Sequence, residues 1–463
     1  MCKKLLFSTM RVFILLNLLF YFNSAFGQNT PDLKTLVDRA ISQSQQIKIR
    51  QAQEQKATLD KKKAYQSFLP KITAEGSYTH LNDAISLPSD MENLLMGAQE
   101  LLIKEHLGIP FNTPLPAGVP LKEVPPLQEQ DIYKVNLNAQ MLLFSGGKVA
   151  YSQKAAQHQL NAMKLLTDNE KETIISNVIS TYDRLAVVKS METVINQSEK
   201  YLNEQSRFVE KAISNGLAVQ IDREKINLAK QQLQYKKIEL SSGKTMLIAR
   251  LSQLTGLPTD SLQEINPELK PWILSDASNN VENRSDLKAL DEAILATRYK
   301  TKAEWAEYTP KVVAFGKKEL ITDYLSTFDP EWYVGVGIKW TLFDGLAAQN
   351  NAQQTKIDRY ILEQKKEEST ELLNLNLTKM QLEYQKCIEQ LSVAEQRVKT
   401  SEEIHKLTLK QRDTGLINMA DYLNSVNDFE KSKMEYIEAT YNERVSAISM
   451  LEATGSLTNN NIQ

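Results

Sequence analysis

The chain has 463 residues, carries 55 Lys and Arg against 57 Asp and Glu, and has a formal net charge of −2. That balance, with no basic stripe, excludes the electrostatic footprint of a nucleic-acid binder. The composition is rich in Gln, Lys, Glu, Leu and Ala, with only 16 Gly and 14 Pro. It is the balance of long helices packed along one another rather than of the two or three compact domains the length would suggest.

Residues 1–27 read as a secretory signal. Lys3 and Lys4 form the positive end, residues 12–22 the apolar stretch, and Ala25-Phe26-Gly27 a small-x-small cleavage site before Gln28. A retained anchor is the alternative, but the stretch is broken by Asn17 and falls short of the ~20 residues a spanning helix needs. No later segment is apolar enough to be a transmembrane helix. Once the leader is gone Cys387 is the one cysteine, which excludes an intrachain disulfide framework.

The first repeat occupies residues 28–256. A helix is expected from about Pro31 to Ser67, with acidic Asp32 at its start, and Pro70 stops it. An alternating stretch follows, with Ile72, Ala74, Gly76 and Tyr78 on one face. Its partner strand, ending near 143, puts Val135, Leu137, Ala139, Met141 and Leu143 on one face and Lys134, Asn136, Asn138 and Gln140 on the other. Residues 82–130 between them are unlike their surroundings. Pro110, Pro114, Pro116, Pro120, Pro125 and Pro126 crowd behind a short helix expected over Met91–His106. A connection of that length is characteristically functional or mobile. From Lys148 to about Ala212 there is neither Gly nor Pro, enough for a helix roughly 95–100 Å long. Ile174, Val178, Tyr182, Leu185, Val188, Met191 and Ile195 step along it by three and four as a packing seam. Gly216 then lets the chain reverse into a helix over about 218–255.

After a linker at 257–283, residues 284–455 repeat the scheme, and 456–463 form a tail. Leu143-Phe144-Ser145-Gly146-Gly147 returns as Leu342-Phe343-Asp344-Gly345-Leu346, about 199 residues later. Asn215-Gly216-Leu217 with Asp222 returns as Thr414-Gly415-Leu416 with Asp421, and Thr255-Gly256 as Thr454-Gly455, at the same offset. Three landmarks in one register mark an internal duplication. The second repeat supplies a helix over 285–308, a weaker strand over Lys311–Thr322, and a strand whose apolar face is Trp332, Val334, Val336, Ile338, Trp340 and Leu342. A second uninterrupted helix covers Ala347–Asp413, with its return over 417–455. Gly146, Gly147 and Gly345 are the expected strand-to-helix turns.

Strands with one apolar and one polar or glycine face fit either a sheet lying on a core or a membrane barrel with lipid outside and water within. Four strands cannot close a barrel, so the second environment needs several chains. Enzymatic chemistry has no support. His80, His106, His158 and His405 are scattered, with no pair at ligand spacing for a metal. Gly335-Val336-Gly337 lies inside a strand and is no dinucleotide loop. No cofactor is implied.

The signal, the tandem halves, the strand-Phe-(Ser/Asp)-Gly junctions and the Gly-Leu helix turns together resemble the TolC family of outer-membrane efflux proteins. The resemblance implies a mainly α fold with a β-barrel contribution, in which a homotrimer shares a twelve-stranded barrel and an α-helical tunnel. Residues 257–283 and the tail would belong to the equatorial region around the tunnel. The implied partners are a periplasmic adaptor, an inner-membrane pump of the resistance-nodulation-division or ABC type, and outer-membrane lipid. Gly216-Leu217 and Gly415-Leu416 would lie where adaptor hairpins dock, although turn geometry alone also calls for the glycines. Asp421 matches an acidic gate position. Asn424 stands where the family's next acidic residue falls, Ile417 replaces a basic one, and Arg412 lies just before the turn. Asp222 is the first-half counterpart of Asp421. For both aspartates a carboxylate at a helix N-terminus is the alternative reading. The implied function is the exit duct of tripartite small-molecule efflux. The alternatives are the duct of type I protein secretion and, without a pore, a periplasmic coiled-coil scaffold.

Overall fold

The computed structural model describes residues 31–216, 218–274, 280–321 and 330–458. The expected signal peptide, Leu217, Thr322 and the last five residues of the tail lie outside them. In chain order the elements are α1 (Leu33–Gln43), α2 (Gln45–Gln66), β1 (Lys71–His80), α3 (Ser89–Leu107), β2 (Asp131–Phe144), α4 (Lys148–Ser214), α5 (Gln220–Thr255) and α6 (Thr259–Gln263). Then follow α7 (Ser285–Trp305), a single 3-10 turn, β3 (Lys311–Ile321), β4 (Trp332–Lys339), α8 (Ala347–Asp413) and α9 (Met419–Ala453). The long helices α4 and α8 have 67 residues each.

The helix expected over Pro31–Ser67 is two helices. Ser44 adopts ψ 125° while its N–H still bonds to Ala40 O, and its Oγ accepts from Ile47 N at 3.3 Å, so one serine ends α1 and caps α2. Asp32 caps α1 through Thr35 N at 2.9 Å. The last strand is shorter than its apolar pattern: β4 stops at Lys339, and the Trp340 indole N–H turns to Tyr308 O at 2.9 Å.

The chain divides into two units, each drawing on both repeats. One comprises Gln55–Leu160 and Glu292–Glu363 and holds the sheet. Its strand order is β1-β2-β3-β4, antiparallel throughout, and the β2–β3 pairing joins the repeats, with Ala139 opposite Gly316. Register and alternation then assign one face to Ile72, Tyr78, Leu137, Met141, Ala314, Val334, Val336 and Ile338. The other face carries Thr73, Glu75, Asn136, Asn138, Gln140, Lys317 and Glu319. Phe315 stands there with Leu142 and Val313. It lies across Gly335 and Gly337, where a Cβ would come within 2.8 and 3.3 Å of its ring. Along the apolar face the aromatic rings stand at the ends. Tyr78, Tyr133 and Trp332 lie at the end of the β1–β2 connection, and Phe144 and Trp340 at the other. The eight residues of β4, Trp332–Lys339, span about 26 Å.

The other unit comprises Met1–Glu54, Asn161–Asp291 and Gln364–Gln463. Its main core gathers Leu36, Val37 and Ala40 of α1, Val178, Ile179 and Leu185 of α4, Leu251 of α5, Ala447 of α9, and Leu262, Ile265 and Trp272 from the linker. The seam predicted on α4 is thus a buried face, with Val178 and Leu185 fully enclosed. The linker is tied down by charge as well. Arg444 (5% exposed) donates from Nε to Asp183 (0% exposed) at 2.9 Å and from Nη1 to Lys270 O at 2.8 Å, with its guanidinium over the Trp272 ring. Trp272 N donates to Glu443 at 2.8 Å. Burial pushes the Asp183 carboxyl above the ordinary range, and Arg444 offsets part of that rise.

A buried ion pair contributes little net stability, yet removing one partner leaves an uncompensated buried charge. Arg444→Ala should therefore destabilise the chain by about 3–5 kcal/mol, read as a lower denaturation midpoint. Asp183→Leu with Arg444→Met should recover most of the loss. A single variant that unfolds like wild type would show that the pair anchors nothing.

Candidate functional site

Two sets of turns fix the ends of the long helices. At the strand-to-helix junctions, Gly146 (φ 63°), Gly147 (φ 86°) and Gly345 (φ 69°) are left-handed. A side chain at Gly146 would also overlap Thr309. The residue before the glycine caps the helix: Ser145 Oγ accepts from Val149 N at 3.3 Å, and Asp344 accepts from Ala348 N at 2.8 Å and from the Tyr308 hydroxyl at 2.9 Å. These hydrogen bonds, led by the one from Ala348 N, hold the Asp344 carboxyl below its usual range. The repeated Phe-(Ser/Asp)-Gly motif is thus a turn with its own N-cap. Where the first repeat has Gly147, the second has Leu346 in the same left-handed region, at φ 69°.

At the helix-to-helix turns Gly216 and Gly415 have φ 71° and 75°, with open space around both. Leu416 N bonds to Gln411 O, and Gly415 N to Arg412 O, both at 2.9 Å, the paired bonds of a Schellman end. Leu416 is exposed; its counterpart Leu217 lies outside the described residues. Beyond each turn the matching aspartate is the third residue of the new helix. Asp222 accepts from Val219 N at 3.4 Å, and Asp421 N donates to the capping Asn418 side chain at 2.8 Å. Both carboxylates sit where a helix N-terminus favours negative charge.

The gate candidates separate into two groups. Asp421 and Asn424 are exposed on one face of α9, whereas Tyr422, Ser425, Val426 and Phe429 form its buried face. Arg412 belongs with the buried group. Its guanidinium lies 4.9 Å from the Phe208 ring of α4 and 4.7 Å from the Tyr422 ring of α9, a cation held between two aromatic faces.

Two turns earlier on α8 is His405, which the scattered histidine positions had not singled out. It is 5% exposed, with ring contacts to Tyr201 (5.4 Å), Tyr422 (5.9 Å) and Phe429 (5.5 Å), and its Nδ1 is without a hydrogen bond. Gln205 donates to the Tyr422 hydroxyl at 3.2 Å, the Thr408 and Ser425 hydroxyls meet at 2.7 Å, and Lys433 lies over Phe429 at 4.1 Å. This cluster binds α4 of the first repeat to the α8–α9 hairpin of the second. The sequence signal was a mixed polar-aromatic face on each helix: 201/205/208, 405/408/412 and 422/425/429.

Burial, followed by nearby Lys433 and Arg412, lowers the His405 pKa from its ordinary 6.5, with Glu402 acting the other way. A buried imidazole with a lowered pKa resists the proton that the unfolded chain accepts. The packing is therefore at full strength above pH 6.5 and weakens as pH falls from there through the lower folded value. His405→Phe should abolish the loss of thermal stability between neutral and mildly acidic pH. An unchanged pH dependence would show that another group controls it.

Comparison with known proteins places this geometry. The sequence profile described as "outer membrane efflux protein" matches residues 277–456. A search of the curated proteins finds no match. Among solved structures, the outer membrane protein VceC of Vibrio cholerae superposes with a TM-score of 0.70 at 14% identity, covering 91% of this chain and 96% of that one. The CmeC outer membrane channel of Campylobacter jejuni gives 0.69 at 15% identity, covering 92% and 85%. The open state of the MtrE outer membrane channel of Neisseria gonorrhoeae gives 0.69 at 14%, covering 92% and 91%. The fold of this chain is that of these channels.

Proposed function

We propose that this chain, which over residues 277–456 matches the outer membrane efflux protein family and over about nine-tenths of its length has the fold of outer-membrane channels, is the exit duct of a tripartite efflux system. Three copies would join their sheets into one twelve-stranded barrel in the outer membrane, with the helices continuing into the periplasm. The observation that carries this is the apolar face of the sheet. Val334 and Ile338 are each 75% exposed, Ile72 and Val336 are exposed beside them, and β1 and β4 are open edges. Lipid suits that face, water suits the opposite one, and neighbouring copies satisfy the edges. A periplasmic scaffold without a pore would leave the apolar face and the open edges unmet.

Conduction through such a duct is passive and calls for no catalytic group. Its energy would come from an inner-membrane pump, coupled through an adaptor at the turns around Gly216 and Gly415. The cargo class that fits the reading is small molecules. Asp421 and Asn424, exposed on α9 beside the second turn, would line the periplasmic aperture.

Outer-membrane fractions should contain heat-modifiable trimers that conduct ions in planar bilayers, and a soluble monomer without conductance would overturn the duct. Asp421→Ala should raise single-channel conductance and the entry of antibiotics. If neither changes, the carboxylate serves only the start of α9.

A further inference from the structure

Helix α3 carries a surface that the duct reading leaves unused. Helix α3 stands in the connection between β1 and β2. Met91, Leu94, Leu95, Ala98, Leu101 and Leu102 recur along it at three- and four-residue steps, and all six are exposed, Leu94 by 71% and Leu102 by 66%. The other side of the helix is already occupied. Lys104 is buried, paired with Glu100 at 2.6 Å and donating to Phe111 O at 3.4 Å, and Met96, Gln99 and Ile103 are partly covered. The helix is thus fixed from beneath and bare on an apolar stripe of the kind that packs against another helix.

Position and charge select what covers it. The β1–β2 ladder continues past His80 to the Ile85–Gln128 bridge, with Leu127 N bonding to Ile85 O at 2.7 Å. Only three residues lie between Ile85 and the start of α3 at Ser89, a span of at most about 14 Å. The helix is therefore tied to the rim of the sheet at the end away from α4. An anionic lipid surface is a poor partner: Asp90, Glu92, Glu100 and Glu105 face a single lysine, itself buried, whereas interfacial helices carry Lys and Arg on the polar side. A stripe of Leu with the small Ala98 at its centre is instead complementary to itself under rotational symmetry.

We propose that the α3 stripes of three copies pack on one another around the three-fold axis and close the duct at its outer end. This rests on the trimeric duct reading above. In the closed mouth Leu94 and Leu101 of each copy face those of its neighbours, and Asn93, on the opposite side of the helix, does not. Opening then requires the three helices to part and expose the stripe.

The test uses full-length protein in outer membranes, where the buried Cys387 is the one cysteine left after removal of the leader. Under mild oxidation Leu94→Cys and Leu101→Cys should each give disulfide-linked dimers, since only two of three thiols on an axis can pair, while wild type and Asn93→Cys should give none. In a second arm, a variant combining Leu94→Gln, Leu101→Gln and Leu102→Gln should keep the heat-modifiable trimer and raise its conductance in planar bilayers. Intact trimers without dimers at 94 or 101, or with equal dimers at 93, overturn the packing of α3 and leave the duct standing. An intact trimer whose conductance the glutamines do not change overturns the closure. Absence of a trimer in wild type overturns the duct reading itself.

Discussion

Ile72, Val334, Val336 and Ile338 form part of a sheet face with none of the chain's own side chains covering it among the described residues, and β1 and β4 each leave one edge open. In water such a surface would associate without control, through the apolar face and through the open edges. A membrane and a ring of identical copies remove both liabilities together. The doubling of the sequence then acquires a mechanical meaning. One repeat supplies two strands. The β2–β3 pairing, with Ala139 opposite Gly316, welds two repeats into a four-strand unit that three copies can close.

The helices are built by local chemistry and secured by distant contacts. Ser145 and Asp344 cap α4 and α8 as the chain leaves the sheet, and the Schellman bonds after Gln411 end α8 within one residue of Gly415. Neither device says which helix packs against which. That is decided by the buried core of Val178, Leu251, Trp272 and Ala447, and by the Arg444–Asp183 pair inside it. A charge pair is a poor source of stability but a strict specifier of register, because a slip would leave both groups buried without a partner.

This division explains what could be read from the sequence. The capped turns, the alternation of the strands and the uninterrupted helices are local signals, and the structure returns them nearly residue for residue. The break at Ser44 was hidden because neither Gly nor Pro marks it; a serine hydroxyl in place of a backbone bond is enough. The early end of β4 was hidden because Trp340 and Leu342 continue the apolar alternation after the backbone has left the sheet. The Arg444–Asp183 pair spans 261 residues of chain, and no spacing rule reaches that far. His405 was passed over for a related reason. Its partners are aromatic rings on two other helices, and a search for metal ligands looks for other histidines.

The two hairpins end alike and are fastened differently. Across the first turn Glu210 and Arg223 meet in a bidentate pair at 2.6 and 2.7 Å, exposed to solvent. At the same offset the second hairpin has Leu409 and Tyr422. Exposed pairs of this kind are screened and weak, so the pair adds little to the turn it spans. The second tip is fastened to its neighbour through Tyr422, Phe429, His405 and the sandwiched Arg412. To move away from α4, the α8–α9 hairpin must hydrate aromatic surface and give up a cation between two rings, both of which oppose motion. On the duct reading this sets where resistance to opening resides. On that reading the exposed carboxylate of Asp421 would tune what crosses the aperture, while the aromatic cluster behind it holds the second hairpin to α4. That cluster has no counterpart at the matching positions of the first repeat, where Ser206 stands in place of His405 and Ile213 in place of Arg412. Duplication supplied two similar hairpins, and substitution on the second gave it the histidine and arginine that meet the Tyr201 and Phe208 rings of the first.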